Sequence, residues 1–331
     1  MDLVDLKLEN LWEYDPDTKT LKGNPQILYY RQPRATEYPL DLNKGYRRYI
    51  PRNGNFPRSF GLVQHHVMHL PKPRQVLEHM DFFLNRGTML KFMGDRTYGK
   101  ETNFAACRFK GCIYVRSLWE DQDERYTVPC VAKTYPFKAR QYVFTRSPGA
   151  LPRTDAPVDE RKQVYGMFSA KLGSFRLLYS AEVSGVSNKE PLGDLNDPEV
   201  LKTCQLASLK IDKEGRRNNS APLWLMQSYL GGIDQLAIAN TNERGHVCRP
   251  IKVVSCAKLM SQESQFNIHD RLQKLHKILE EISIKMSNKD NPHQELRFKM
   301  RQDSILFENR LTSIEPPGNF DQQFIDFINR L

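Results

Sequence analysis

The stretch LLYSAEVSGVSN (residues 177–188) and the later TCQLASLKIDKE (residues 203–214) each read as a short buried strand that runs out into polar residues. In the first, Tyr179, Ala181 and Val183 alternate with Ser180, Glu182 and Ser184, the period of two that sends successive side chains to opposite faces of a sheet. In the second, Leu206, Ala207, Ser208 and Leu209 lead to a single Lys210. An acidic residue on one strand and a lysine on the next is a common beginning for a metal-dependent phosphodiester site. Two-metal cleavage, however, needs several carboxylates converging on hard cations roughly 3.5–4 Å apart. At the positions that would face each other the pair offers Glu182 and Lys210, with serines at 184 and 208. Taken alone, the pair supports an ion pair at the strand ends and not a metal site.

Downstream, APLWLMQSYLGG (221–232) predicts an apolar helix with a Gly-Gly stop, and DQLAIAN (234–240) and RPIKVVSCA (249–257) predict two more strands. NIHDRLQKLHKILEEISIKM (267–286) is an amphipathic helix through Ile268, Leu272, Leu275, Leu279 and Ile282. The tail adds a strand, ELRFKMRQ (295–302), and a short final helix, FDQQFIDFINRL (320–331). Upstream, RQVLEHMDFFLNRGTMLKF (74–92) places Val76, Leu77, Met80, Phe83 and Leu84 on one helical stripe, with Gly87 near its end. NFAACRFKGCIYVRSLW (103–119) reads as a hairpin turning at Lys110-Gly111, and RSPGALPRTDAPVDE (146–160) as a Pro-rich polar loop. The first sixty residues are rich in aromatics, arginine and proline, and predict short strands and turns that wrap a core. With no repeat and no long linker, one mixed α/β (α+β) domain over residues 1–331 is the economical reading. Residues 1–60 are its wrapping segment, and residues 258–331 a C-terminal helix–strand–helix.

The chain has 331 residues, 39% apolar and 10% aromatic, enough to bury a substantial core. A formal net charge of +10 favours an anionic partner, nucleic acid first, over a merely basic surface. The six cysteines form no CxxC pair, so reduced intracellular thiols are expected. The N-terminal MDLVDLKLENLWEYD has no apolar leader core, and no apolar run approaches the roughly 18 residues of a spanning helix, so no membrane association is expected.

HHVMH (65–69) offers His65, His66 and His69 to a metal, but without an HExxH pattern or a third-ligand signal a solvated cluster is favoured. No GxSxG, P-loop or GxGxxG pattern is present. KGYRRYIPR (44–52) supports two readings. Either Arg47, Arg48 and Arg52 pair with phosphates while Tyr46 and Tyr49 stack on bases, or the tyrosines pack on the core and the arginines are solvated.

Several blocks in register carry a family resemblance: LDLNKGYRRYIPR (40–52), FLNRGTMLKFM (83–93), ACRFKGCIYV (106–115), LLYSAEVSG, LASLKIDKE and LWLMQSYLGGI (223–233). Over residues 28–257 the chain resembles the DXO family of RNA 5′-end decapping and pyrophosphohydrolase enzymes. The resemblance implies two twisted, mostly antiparallel and mixed β-sheets flanked by helices around a nuclease-like core. It also implies that Arg86, Glu182, Lys210 and Gln227 stand at matching site positions. The departures are specific. The family's Glu-x-Asp appears as Glu182-Val183-Ser184, and its Glu-x-Lys as Ser208-Leu209-Lys210. A further glutamate, which follows a Gly-x-x-Phe-type strand, is compared with TYPFKARQYVF (134–144), where Lys138, Ala139 or Arg140 stands in its place.

Of four site carboxylates only Glu182 remains, so the expected outcome is loss of the metal and of hydrolysis. Mg²⁺ or Mn²⁺ would enter only with residual activity. No residue is then catalytic, and RNA or nucleotide binding falls to Arg86, Glu182, Lys210, Gln227, Arg47 and Arg48. The pattern resembles a catalytically degenerate germline branch of the family. That resemblance implies a nuclear factor that protects piRNA-precursor transcripts from 5′-end processing and transcription termination. Its partners would be RNA 5′ ends and the chromatin-bound proteins Rhino and Deadlock. The competing readings are a residual decapping enzyme holding one metal through Glu182, and a pure protein-interaction scaffold.

Overall fold

An apolar run without polar alternation belongs in the middle of a sheet covered on both faces, and residues 82–84, Phe-Phe-Leu, are placed there. The computed structural model describes residues 1–15, 17–18, 20–51, 59–70, 72–94, 101–118, 130–214, 220–301, 304–315 and 320–331. In it, strand Phe82–Asn85 runs parallel to Phe175–Val183 on one side and to Cys112–Ser117 on the other. Among the described residues the large sheet has ten strands. Its order is Ser304–Phe307, Gln294–Arg301, Glu101–Phe109, Cys112–Ser117, Phe82–Asn85, Phe175–Val183, Gln163–Leu172, Leu3–Asp15 and Thr20–Gly23, with Thr312–Ser313 paired beside Gln294–Arg301. The second sheet has six strands, ordered Lys252–Ser255, Gln235–Thr241, Leu206–Lys213, Gly185–Val186, Tyr29–Tyr30 and Phe144–Thr145. A two-stranded ribbon joins His246–Val247 to Leu40–Asp41. These are the mixed, helix-flanked sheets expected of the sequence.

The single helix expected over 74–92 is three elements: helix Pro73–Leu77, strand Phe82–Asn85 and helix Arg86–Phe92. His79, at φ 71°, breaks the first helix, and the Asn85 carboxamide caps the second by accepting from the Thr88 N–H at 2.7 Å. Between them the side chains follow a period of two. Phe82 and Leu84 join one apolar cluster and Phe83 the other. The stretch TYPFKARQYVF, compared above with a strand, lies in helix Val131–Val143 up to its last residue. The N-terminal segment is also more regular than expected, because Leu3–Asp15 is a 13-residue strand antiparallel to Gln163–Leu172. Two register shifts, between Val4 and Lys7 and between Leu8 and Asn10, break its alternation and hide it from a period-two reading.

The expected hairpin and the long amphipathic helix are both present. The hairpin turns at Lys110 (φ 51°) and Gly111 (φ 82°), both left-handed as a two-residue turn of this type requires, and both N–H groups donate to the Asp290 carboxylate at 2.7 and 2.8 Å. Helix Ile268–Met286 buries Leu272, Leu275, Leu279 and Ile282 in the same cluster as Leu296 and Phe298, each burial contributing about 1.5–3 kcal/mol. All six cysteines are free thiols. Among the described residues no helix is long and apolar enough to cross a membrane.

The two sheets are joined through one residue. Strand Phe175–Val183 ends in the large sheet, Ser184 follows, and Gly185–Val186 begins in the small one. Glycine is required at 185, because a Cβ there would lie 2.4 Å from the Leu28 carbonyl oxygen. The crossover places Glu182 and Ser184 beside Leu206–Lys213 of the second sheet.

Candidate functional site

Five elements converge at that crossover. Arg86 opens helix Arg86–Phe92 directly after the Asn85 cap, and its guanidinium donates to the Glu182 carbonyl oxygen at 3.2 Å. Glu182 sits one residue from the end of its strand, and its carboxylate accepts from the guanidinium of Arg140 on helix Val131–Val143. Lys210, on Leu206–Lys213, donates to Gln227 Oε1 at 2.6 Å from helix Ala221–Tyr229. With Ser184, Ser208 and Phe168 these side chains line a cavity of about 140 Å³. Arg140, Glu182, Val183 and Ser184 also line a larger groove of about 500 Å³. Beyond them the groove carries exposed Arg146, Arg153 and Lys162, apolar Phe137 and Leu151, and the acidic Glu13 and Asp159.

The inner cavity is cationic. Its lining holds Arg86, Arg140 and Lys210 against a single carboxylate, Glu182. Burial pushes the Lys210 ammonium down to about 7; Arg86 and Arg140 push the same way, and Glu182 opposes them. Burial also lowers Arg86, with Glu182 as the main opposing influence. Arg140 has a further feature: its Nε–H is buried and has no protein acceptor.

A divalent metal does not fit this donor set. Mg²⁺ and Mn²⁺ take hard oxygen ligands, chiefly carboxylates. The one carboxylate here is engaged by Arg140, and the Gln227 carboxamide oxygen by Lys210. Ser184 and Ser208 offer neutral hydroxyls. A cation among three others would meet repulsion of about 4 kcal/mol per unit charge pair at roughly 4 Å near a protein surface. Among the described residues no group of three or more His, Cys, Asp or Glu side chains is placed to hold a metal.

The structure brings Arg86, Glu182, Lys210 and Gln227 together with Ser184 and Ser208. Of the three registers for the missing glutamate, it places Arg140 in the site. Lys138 turns away to donate to the Thr154 carbonyl at 2.6 Å, and Ala139 packs in the core of the second sheet. The strand beside Phe175–Val183 is Gln163–Leu172, which lines the cavity through Phe168 and has no carboxylate in its sequence. Its Gly166-Met167-Phe168 has one residue between glycine and phenylalanine, one fewer than Gly-x-x-Phe. Ser169, after that phenylalanine, instead donates to Glu9 Oε1 at 2.5 Å. Arg47 and Arg48 line neither cavity. They are exposed, and Arg48 donates to the Asp155 carbonyl at 2.8 Å. Of the two tyrosines of the packing alternative, Tyr49 is buried and donates to Glu160 and Tyr46 is half-buried, while Arg52 lies outside the described residues. The histidines diverge: His66 stacks on Trp12 at 5.1 Å, whereas His65 and His69 are exposed. The sequence reading missed Arg146, Arg153 and Lys162, which sit in and beside the Pro-rich loop.

A model of the RAI1-like PD-(D/E)XK nucleases matches residues 10–326. The chain belongs to the RAI1-like PD-(D/E)XK nuclease family. It is 24% identical over 234 residues to the Drosophila melanogaster decapping and exoribonuclease protein Rai1, covering 64% of this chain and 62% of that one. To the Bos taurus decapping and exoribonuclease protein it is 26% identical over 255 residues, covering 68% and 60%. The chain thus spans less than two thirds of the length of these curated relatives. Among solved structures, Candida albicans Rai1, crystallised with pU5 and Mn²⁺, superposes with a TM-score of 0.78 at 13% identity, over 99% of this chain and 95% of that one. That last likeness is one of fold. Ser208-Leu209-Lys210 has the spacing of a (D/E)XK pattern with serine in the place of the acid.

Proposed function

We propose that this RAI1-like chain is a non-catalytic member of its family that binds RNA 5′ ends without hydrolysing them. The observation that carries the proposal is the pairing of the cavity's single carboxylate, Glu182, with Arg140, in a lining that offers only serine hydroxyls at 184 and 208. Three cations around one carboxylate suit an anionic RNA end, and the adjoining groove, with Arg146, Arg153 and Lys162, suits the chain that follows it. The pU5 bound to the Candida albicans Rai1 is in keeping with such a ligand.

The pattern of retained and lost residues resembles that of the catalytically degenerate germline protein Cutoff. On that resemblance we propose a nuclear, chromatin-associated role. The chain would protect piRNA-precursor transcripts from 5′-end processing and transcription termination, in a complex with Rhino and Deadlock. The test is incubation with Mg²⁺ or Mn²⁺ and RNAs bearing a 5′-triphosphate, an unmethylated cap or a 5′-monophosphate. No product above that of Glu182→Ala is expected. Product that depends on Glu182 and on metal would overturn the proposal in favour of a residual decapping enzyme. Absence of RNA binding would favour a protein-interaction scaffold.

A further inference from the structure

Resting on the 5′-end reading, we propose that Glu182 is an internal anion that occupies Arg140 in the free protein and competes with a 5′-phosphate, which binds by taking Arg140 from it. The exchange needs no metal.

Glu182 and Arg140 are the charged residues common to the inner cavity and the groove, so their pair stands where a ligand passes from one to the other. The backbone beneath both is held. Arg86 fixes the Glu182 carbonyl, while Lys138 and Gln141, on either side of Arg140, tie its helix to the loop by donating to the Thr154 and Pro157 carbonyls at 2.6 and 3.1 Å. The two side chains can therefore separate without moving their elements. Arg140 donates to Glu182 through Nη1 while its Nε–H is buried without a protein acceptor, so a phosphate reaches that edge once the guanidinium turns away from Glu182. A phosphate would accept from both edges of the guanidinium fork.

Charge and size define the ligand. With Lys210 protonated the inner cavity carries a net charge of +2, and with it neutral +1. A terminal phosphate monoester carries about −1.5 to −2. A cavity of about 140 Å³ is well below the roughly 300 Å³ at which drug-sized ligand pockets begin. It accommodates a phosphate group and not a cap nucleoside. The phosphate must, however, sit beside the Glu182 carboxylate, and that like-charge contact is what the competition consists of.

The sign of one substitution separates this role from metal ligation. Removing a metal ligand would weaken binding, whereas removing a competing anion strengthens it. The experiment compares 5′-phosphorylated and 5′-hydroxyl forms of one short RNA by fluorescence anisotropy, in Mn²⁺ and again in EDTA, for the parent, Glu182→Gln and Arg140→Gln, each checked for folding by thermal melting. Glu182→Gln is expected to bind 5′-phosphorylated RNA roughly tenfold more tightly, with 5′-hydroxyl RNA unchanged. Arg140→Gln is expected to lose the preference for phosphate. If the parent prefers phosphate and a folded Glu182→Gln binds no tighter, the competition is refuted and 5′-end binding stands. A preference that appears only in Glu182→Gln supports the competition and refutes 5′-end binding by the parent. If neither protein shows a preference, both ideas fail. Should Glu182→Gln not fold, Glu182→Ser is read by the same criteria.

Discussion

Lys210 shows how single residues set the character of the site. Its ammonium faces Arg86 and Arg140, with Glu182 and Cys256 as the groups that favour its charge, and burial outweighs them all. Its folded pKa, about 7, lies below the 10.5 of an ordinary lysine. Between those values the unfolded chain binds more protons than the folded one, so this residue makes stability rise with pH through that window, and its cost is complete below 7 and absent above 10.5. Lys210→Met is therefore predicted to resist urea better than the parent at pH 6, with the advantage shrinking towards pH 10. A variant less stable at pH 6 would mean that the charged amine is held by attraction. The serines at 184 and 208 were legible in the sequence because one follows directly on the strand that carries Glu182 and the other lies on the strand that carries Lys210. Arg140 was not. Three registers were open because its segment was compared with a strand. On a helix successive side chains diverge by about 100°, so of residues 138–140 only one could enter the cavity.

Among elements, the crossover at Ser184 is where the two sheets are coupled. Gly185→Ala is predicted to destabilise the fold by about 1–3 kcal/mol, since the new methyl must displace the Leu28 carbonyl or the Phe144 ring. It should also weaken 5′-phosphorylated RNA binding by moving Ser184. An unchanged melting temperature would show that the crossover relaxes freely. Asn85→Ala is predicted to cost about 1 kcal/mol through the lost cap, and a drop in phosphate preference with it would tie the cap to the placement of Arg86. Sequence periodicity served well for the long amphipathic helix Ile268–Met286, which has solvent on one side. It failed for Phe82–Asn85. A short strand buried on both faces shows neither a period of two nor of 3.6, and its neighbours completed a false helical stripe.

For the whole molecule, the charge of +10 pointed to an anionic partner but not to where it binds. The fold brings Arg146, Arg153 and Lys162 to the groove that reaches Arg140, where the proposed function puts that partner. Arg153→Gln and Lys162→Gln are predicted to weaken phosphorylated and hydroxyl RNA alike. Each should reduce the dependence of log affinity on log salt by roughly 0.7, the value for one phosphate contact on a single strand. A change confined to the phosphorylated RNA would place these residues at the 5′ end instead. The central claim is that protein cations, and not a metal, hold the RNA end. Titration of 5′-phosphorylated RNA in EDTA and in Mn²⁺ tests it most directly. Metal-free recognition predicts an affinity in EDTA equal to or greater than that in Mn²⁺, with the RNA recovered intact. Binding that requires Mn²⁺, or RNA shortened in its presence, would contradict it.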